Sequence, residues 1–192
     1  LLEKMHRVAL KVGITGKGRC NLTNNKPVDE FVAGYRNGGD FLRSALGRFF
    51  APDIVEILER RGVPTVVERG GRIFPKSQKA GDVVGALYRY ARGDGGAVRT
   101  DAEIRAIEKL SRGFKLQLNN AEIVADRVIL ATGGKSYPKT GSTGDGYKFA
   151  ARLGHTLITP RPALTPILIE TPFKPFEVLL HNVRVTLRDG KR

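Results

Sequence analysis

A glycine-rich stretch from Val128 to Gly154, VILATGGKSYPKTGSTGDGYKFAARLG, constrains the fold of this chain more than any other segment. It begins as a short β-branched strand, breaks at Gly133-Gly134, crosses a loop rich in hydroxyl side chains and enters an amphipathic helix. Open α/β sheets build ligand crevices where a buried strand delivers its carboxyl end into glycines. Glycine lets backbone N–H groups approach a phosphate or a ring edge. The loop has no obvious nucleophile–base pair, so the stretch predicts a site that holds a large ligand.

The sequence argues against two other kinds of site, a P-loop that hydrolyses nucleotides and a metal site. Gly134-Lys135-Ser136 looks like the end of a P-loop, but that motif needs a glycine where Ile129 stands. Pro138 would also stop a helix from starting directly after Ser136, so nucleotide hydrolysis is rejected. The three histidines are widely spaced and show no metal-like pairing, so no metal site is expected.

A second candidate loop is Gly16–Asn24, GKGRCNLTN. Its two glycines permit unusual backbone angles, and Arg19, Asn21, Thr23 and Asn24 offer donors to a diphosphate or a ring edge. A plain surface turn is the alternative, because Asn, Thr and Gly are common turn residues. Cys20 invites a redox interpretation, but a lone buried thiol is more often a small apolar residue.

The periodicity of the chain predicts an α/β fold with antiparallel additions. A short extended piece is expected at Val12–Thr15. Helices are expected at Phe41–Phe50, capped by Asp40 and with Phe41 on its apolar face, from Pro52 to Gly62, and at Ala80–Ala91, with one buried apolar stripe. Strands are expected at Thr65–Glu68, Arg72–Phe74, Glu103–Glu108, Phe114–Leu118, Glu122–Val124 and Arg127–Ala131. Arg69-Gly70-Gly71 is expected to join the first two strands as a hairpin. Prolines cluster from Pro160 onward, which places a domain boundary near that residue.

The composition of the chain limits the kinds of partner that it is expected to bind. The 192 residues hold 33 Lys and Arg against 19 Asp and Glu, a net charge of 33 − 19 = +14. Such an excess raises nucleic acid as a partner, but the basic residues are scattered without a block of five, so none is expected. No apolar run approaches the roughly 20 residues that span a bilayer. One cysteine cannot form an internal disulfide, which fits a cytoplasmic protein.

Three motifs occur in order along the chain: LLEK at Leu1, ITGKGRCNLTN at Ile14 and ATGGKSYPKTGSTGDGYKFAARLGH at Ala131. Together they resemble the motifs of the BaiN-like, aminoacetone-oxidase-like family of bacterial FAD flavoproteins, usually labelled NAD(P)/FAD-dependent oxidoreductases. The resemblance runs from Leu1 to about Pro166. It implies a Rossmann-like FAD-binding domain of the glutathione-reductase-like, two-dinucleotide-binding type with antiparallel additions over 1–160. The start of an inserted, mostly-β, substrate-side domain is expected at 161–192.

The resembled family begins with a strand, a G-x-G-x-x-G turn and a helix, and continues beyond the counterpart of Arg192. The chain is therefore expected to be a fragment that lacks the first strand-turn-helix and is inactive alone. It departs from the family's R-L-G-K-K-L-L motif. Arg7 and Lys11 match, but Ala9 replaces the glycine and Leu10 replaces a basic residue.

The resemblance also implies the residues that bind FAD. The glutamate of LLEK holds the adenosine ribose, the GRCNLTN loop lies along the cofactor, and a later strand offers backbone groups to the adenine. The Ala-Thr-Gly strand end passes close to the ligand. The expected cofactor-binding residues are Glu3, Lys4, Lys11, Gly16, Gly18, Arg19, Cys20, Asn21, Leu22, Thr23, Ile104, Ala131, Thr132 and Gly133.

These expectations describe the FAD-binding portion of a flavin-dependent oxidoreductase. It would transfer hydride or electrons between a small organic substrate and FAD, with NAD(P)H as a candidate electron donor. No catalytic acid or base can be named, and Cys20 is expected to pack near the flavin without taking part in catalysis. The alternative is a non-enzymatic basic module that binds nucleic acid.

Overall fold

Two antiparallel three-stranded sheets share the chain with six α-helices in the computed structural model, which describes residues 1–35 and 38–161. The helices are α1 (Leu10–Ile14), α2 (Val28–Ala33), α3 (Gly39–Leu46), α4 (Ala51–Glu59), α5 (Ala80–Arg92) and α6 (Asp145–Arg152). The strands are β1 (Thr23–Asn24), β2 (Thr65–Glu68), β3 (Arg72–Pro75), β4 (Ile104–Lys109), β5 (Phe114–Leu118) and β6 (Glu122–Ala125).

The first sheet has the strand order β1-β3-β2. Its β2–β3 hairpin confirms the prediction, and the turn glycines Gly70 and Gly71 have φ of 79° and 74°, which an L side chain rarely adopts. Thr23 pairs with Ile73 on the other side of β3. The Gly16–Asn24 loop therefore ends as a strand of this sheet.

Helices α4 and α5 cover one core. Leu58 from α4 and Val83 and Ala86 from α5 are almost fully buried, together with Cys20. The predicted apolar stripe of α5 explains this packing, since residues three and four apart share one face of a helix. Helix α4 begins where the Phe50 N–H donates to the Asp53 carboxylate (2.6 Å) and where Pro52 suits the first turn. Both helix predictions are confirmed.

The second sheet is the meander β4-β5-β6, as predicted. Ile107 of β4 and Leu116 of β5 form a buried cluster with Phe149 of α6. The amphipathic helix expected after Gly144 is thus confirmed, and it packs on this sheet through Phe149.

Two element predictions are wrong. The segment Val12–Thr15 is not extended, because Val12 lies in helix α1 and packs against the α4–α5 core. Tertiary burial outweighs the β preference of this short apolar run. Arg127–Ala131 forms no strand within the described residues, and it is not buried, since Ile129 is 91% exposed. An extended segment becomes a strand only where a neighbour pairs with its backbone.

Helix α3 also differs from the prediction. It begins at Gly39 and ends at Leu46, and Asp40 does not cap it but pairs with Arg43 (3.4 Å). Phe41, expected on a shared apolar face, is 87% exposed.

Leu1–Leu157 form one compact unit. The predicted boundary near Pro160 and the β-rich region at 161–192 stay predictions, because residues 162–192 lie outside the described part. Within the described residues no helix is long and apolar enough to cross a membrane.

Candidate functional site

The glycine-rich loop after Ala131 folds back onto the first turn of α6. A Cβ on Gly146 would collide with Oγ1 of Thr132, and one on Gly144 would lie 2.7 Å from Cγ of Lys135. Glycine at both positions therefore lets the loop lie directly against the helix. Ala131, Thr132 and Gly133 remain exposed, and Gly133 has φ of 74°. This exposed backbone could accept a ligand.

Lys4 fastens the N-terminal segment to this loop. Its Nζ donates to Oδ2 of Asp145 (2.6 Å) and to the hydroxyl of Thr143, which in turn donates to the same carboxylate (2.6 Å). These hydrogen bonds, the one from Lys4 first, lower the pKa of Asp145 to about 2. Met5 lies against Gly141, where an added Cβ would be 2.9 Å from Cγ of the methionine.

Glu3 directly precedes Lys4 and follows the parallel bridge between Leu2 and Arg99. Its backbone N–H donates to the carbonyl of Arg99 and its C=O accepts from Ala102, both at 2.9 Å. Oε1 of Glu3 accepts from the N–H of Met5 (2.9 Å). Among the described residues Oε2 has no hydrogen-bond partner, so one carboxylate oxygen is available for a diol.

Lys11 contacts the same loop from α1. Its Nζ donates to the hydroxyl (2.7 Å) and the carbonyl (3.1 Å) of Ser136 and lies 5.9 Å from the centre of the Tyr137 ring. Ala9, where the resembled family has glycine, caps this helix with φ of 54°. The left-handed conformation that glycine favours is therefore kept by an alanine at this position.

The Gly16–Asn24 loop has the unusual backbone that its glycines predicted. Gly16, Lys17, Gly18 and Cys20 all have positive φ. A Cβ on Gly18 would meet nothing within 4 Å, so space is open there. Asn21 is exposed, whereas the Leu22 N–H donates to the Ile73 carbonyl (2.8 Å) of β3.

Arg19 is committed to protein contacts. Its Nη1 donates to Glu68 (3.0 Å) and to Gln78 (2.8 Å), and its guanidinium lies 4.2 Å from the centre of the Phe74 ring. These contacts fix the loop against the β2–β3 hairpin. Cys20 is buried, and burial raises the pKa of its thiol, an effect opposed by a hydrogen bond with Thr15. A thiol that stays protonated is a poor nucleophile.

Ile104 begins β4, an edge strand of the second sheet. It pairs with Leu118, and the register is irregular between Ile104 and Ala106. No described strand pairs with the outer edge of β4. Backbone groups on that edge could therefore meet a planar ring, as the adenine prediction requires.

The structure thus unites only part of the predicted set. Lys4 and Lys11 contact the Thr132–Gly146 region directly. Glu3 is the residue before Lys4 in the chain. The Gly16–Asn24 loop is fixed instead to β3 and the α4–α5 core. No role was predicted for Thr143, Asp145 or Ser136. Asp145 did carry a signal, since an acidic residue is favourable in the first turn of a helix.

Three features suit a dinucleotide such as FAD. Glu3 offers a carboxylate oxygen for a ribose diol, Gly133 exposes left-handed backbone, and Gly18 leaves open the space that a Cβ would fill. A cluster of His, Cys, Asp or Glu able to hold a metal ion is not present in the part of the chain that the structure describes.

Comparison with known proteins gives matches over most of the chain. The family described as HI0933-like protein Rossmann domain matches residues 1–171. The chain is 34% identical over 172 residues to the 3-dehydro-bile acid delta(4,6)-reductase of Clostridium scindens, covering 88% of this chain and 41% of that protein. It is 28% identical over 172 residues to the ribosomal RNA dihydrouridine synthase of Escherichia coli, which covers 90% of this chain and 42% of that protein. It is also 28% identical over 165 residues to the ribosomal RNA dihydrouridine synthase of Haemophilus influenzae, which covers 83% of this chain and 40% of that protein. The chain spans about two fifths of the length of these relatives.

Proposed function

The chain belongs to the HI0933-like protein Rossmann domain family, and on that premise we propose that it forms the FAD-binding portion of a flavin-dependent oxidoreductase. The observation that carries the proposal is the contact of Lys4 with Asp145 and Thr143. It brings the segment that contains Glu3 against the glycine-rich loop. This supports a site in which the proposed ribose-binding carboxylate lies on the same side as the exposed glycine backbone.

We assign the cofactor contacts accordingly. Glu3 binds the ribose diol, the backbone at Thr132-Gly133 lies against the ligand, and the edge of β4 at Ile104 meets the adenine. Gly18 and the exposed Asn21 form the open side of the second loop. Lys4, Lys11 and Arg19 hold these segments in position through protein contacts, so their part in cofactor binding is indirect.

FAD, when bound, supplies transfer of a hydride or of single electrons. The chain's own part is to bind and orient the cofactor. Exposed backbone N–H groups and nearby cations favour negative charge on a ligand. The buried Cys20 thiol takes no part, because burial keeps it protonated.

We further propose that the reaction is the reduction of a carbon–carbon double bond. The relatives' names support this: one is a delta(4,6)-reductase, and the others make dihydrouridine, which has two more hydrogens than uridine. Both names describe the reduction of a double bond. NAD(P)H as the electron donor and a cytoplasmic location remain predictions from the sequence.

The first experiment is spectroscopic. The protein in its full natural length should purify yellow, and heat should release a flavin that chromatography identifies as FAD. Under anaerobic conditions NADPH or NADH should bleach the flavin absorbance, and a cyclic enone should restore it. A colourless protein that takes up no FAD on reconstitution would refute the cofactor proposal. Restoration by oxygen but by no enone would refute only the proposed reaction.

A further inference from the structure

The ends of helices α4 and α5 carry a cluster of arginine and tyrosine side chains that the FAD site does not use. We call Arg61, Tyr88, Arg89, Tyr90 and Arg92 the arginine–tyrosine corner. Over the whole chain the basic residues are scattered, but here the sequence Tyr88–Arg92, YRYAR, alternates aromatic and basic residues. We propose that this corner is a binding surface for single-stranded RNA.

Pairwise contacts connect the five side chains around the C-terminal part of α5. The guanidinium of Arg61 lies 4.1 Å from the centre of the Tyr90 ring, and Arg89 donates to the Arg61 carbonyl (3.4 Å). Arg92 lies 5.7 Å from the centre of the Tyr88 ring. Arg89 and Arg92 are three residues apart on α5 and so share one face of the helix. The order around the helix is therefore Tyr90, Arg61, Arg89, Arg92 and Tyr88, with the two tyrosines on different sides of α5.

The patch is open and its charge is not neutralised. Tyr88 and Tyr90 are 37% and 49% exposed, so both rings are accessible to a ligand. None of the carboxylates that the structure describes forms an ion pair with Arg61, Arg89 or Arg92. The adjacent Arg60, by contrast, pairs with Glu56 (2.5 Å).

A structural role explains only part of these contacts. Arg61 donates to the carbonyl of Ile57 (3.1 Å), and arginines near a helix end can satisfy the last carbonyls. Each guanidinium has five N–H donors, and one hydrogen bond to a carbonyl leaves most of them free. Helix capping also does not account for two exposed tyrosines beside the arginines.

Single-stranded RNA can bind both the arginines and the tyrosines of the corner. Its phosphates are neutralised by arginine, and its unstacked bases stack on aromatic rings and on guanidinium planes. An acidic protein segment would use the charges but would gain little from the two rings. The chemistry therefore favours RNA.

The test uses the flavin-loaded protein of full natural length and a fluorescein-labelled 20-nucleotide oligouridylate. Fluorescence anisotropy is recorded from 50 to 300 mM salt. The corner variant R61Q/R89Q/R92Q should bind at least about tenfold more weakly. Its log–log salt dependence should be shallower by about 2, because three phosphate contacts on a single strand contribute roughly 0.7 each.

The matched control is R43Q/R112Q/K115Q. It removes the same charge from three residues that are ion-paired with Asp29, Asp126 and Glu108. It should lose no more than about threefold. Equal losses in the two variants, or no RNA binding by the natural protein at 50 mM salt, would overturn the proposal. Displacement of the RNA by polyglutamate as effective as by unlabelled oligouridylate would assign the surface to an acidic protein instead.

Tyrosine variants test the RNA surface without changing the arginines, which also make hydrogen bonds to backbone carbonyls. Y88F/Y90F should retain RNA affinity, whereas Y88L/Y90L should lose about tenfold, since stacking needs the ring and not the hydroxyl. If the leucine variant binds as well as the phenylalanine variant, the stacking surface is wrong. Flavin absorbance should be normal in every corner variant, so loss of RNA binding does not bear on the FAD proposal.

Discussion

The Nζ of Lys4 lies 2.6 Å from Oδ2 of Asp145, joining residues 141 positions apart in the chain. Both side chains are mostly buried, with 21% and 24% of their surfaces exposed. An ion pair in such a setting is screened less by solvent than one at the surface. The contact therefore links the N-terminal segment to the start of α6, and with it the glycine-rich loop.

Lys4→Met tests this link in the protein of full natural length. The substitution leaves the Asp145 carboxylate without its strongest partner, so we expect a loss of about 1.5–3 kcal/mol in the free energy of unfolding and weaker FAD retention. Lys148→Met is the control, because Lys148 contacts the other carboxylate oxygen at 3.4 Å with 69% of its side chain exposed. It should change stability by less than about 0.5 kcal/mol. Equal effects of the two substitutions on urea denaturation would contradict a special role for Lys4.

The free energy of unfolding should change with pH as Asp145 titrates. Its pKa is about 2 in the folded chain against an ordinary value of 3.8. Because the folded pKa is the lower one, the stabilisation is fully present above about pH 4 and is lost as the pH falls through 2. Urea denaturation of the natural protein and of Asp145→Asn should differ by up to roughly 2 kcal/mol at pH 6, and by little near pH 2. A difference that stays constant with pH would disprove the low pKa.

Glu3 should determine FAD retention more than folding. Glu3→Ala removes the proposed ribose acceptor and should weaken FAD binding by about 1.5–3 kcal/mol. Glu3→Gln keeps the oxygen that accepts from Met5 and should lose less. Fluorescence titration of the apoprotein with FAD measures both affinities. FAD affinity unchanged in the alanine variant would remove Glu3 from the site.

Gly133→Val should abolish FAD binding. Any side chain here also strains the left-handed backbone, by roughly 1–2 kcal/mol, so a cost to the apoprotein is expected as well. Gly62→Val is the control, because Gly62 has φ of 78° with open space around it and lies at the end of α4. It should show a similar drop in melting temperature with normal FAD affinity. Gly134→Ala should be mild in both respects. Normal flavin content in Gly133→Val would rule out close approach of the ligand.

Ala9→Gly should stabilise the protein. Ala9 has φ of 54°, which costs an alanine roughly 1 kcal/mol relative to glycine, partly offset by the entropy of a more flexible unfolded chain. A rise in melting temperature of a few degrees is the expected result. A lower melting temperature would show that the alanine methyl group makes contacts worth more than the strain.

Local sequence patterns predicted correctly those elements whose structure depends on their own segment. Helix periodicity predicted the apolar stripe of α5, turn chemistry predicted the Arg69-Gly70-Gly71 turn, and alternation of side chains predicted the strands β4 to β6. Arg127–Ala131 has the composition of a strand yet pairs with no described residue, because strand formation depends on a neighbour. Val12 became helical because the α4–α5 core offers it a buried contact.

The sequence by itself determined the family, the α/β character and the glycines that allow a positive φ at positions 16, 18 and 133. Those properties reside in motif and in local conformational preference. Only the tertiary structure decided what the charged residues contact. Lys4 and Lys11, which are expected to bind the cofactor, contact the glycine-rich loop, Arg19 pairs with Glu68, and Arg61 lies against Tyr90. An ion pair forms where the fold brings two side chains within a few ångströms, and sequence separation does not encode that distance.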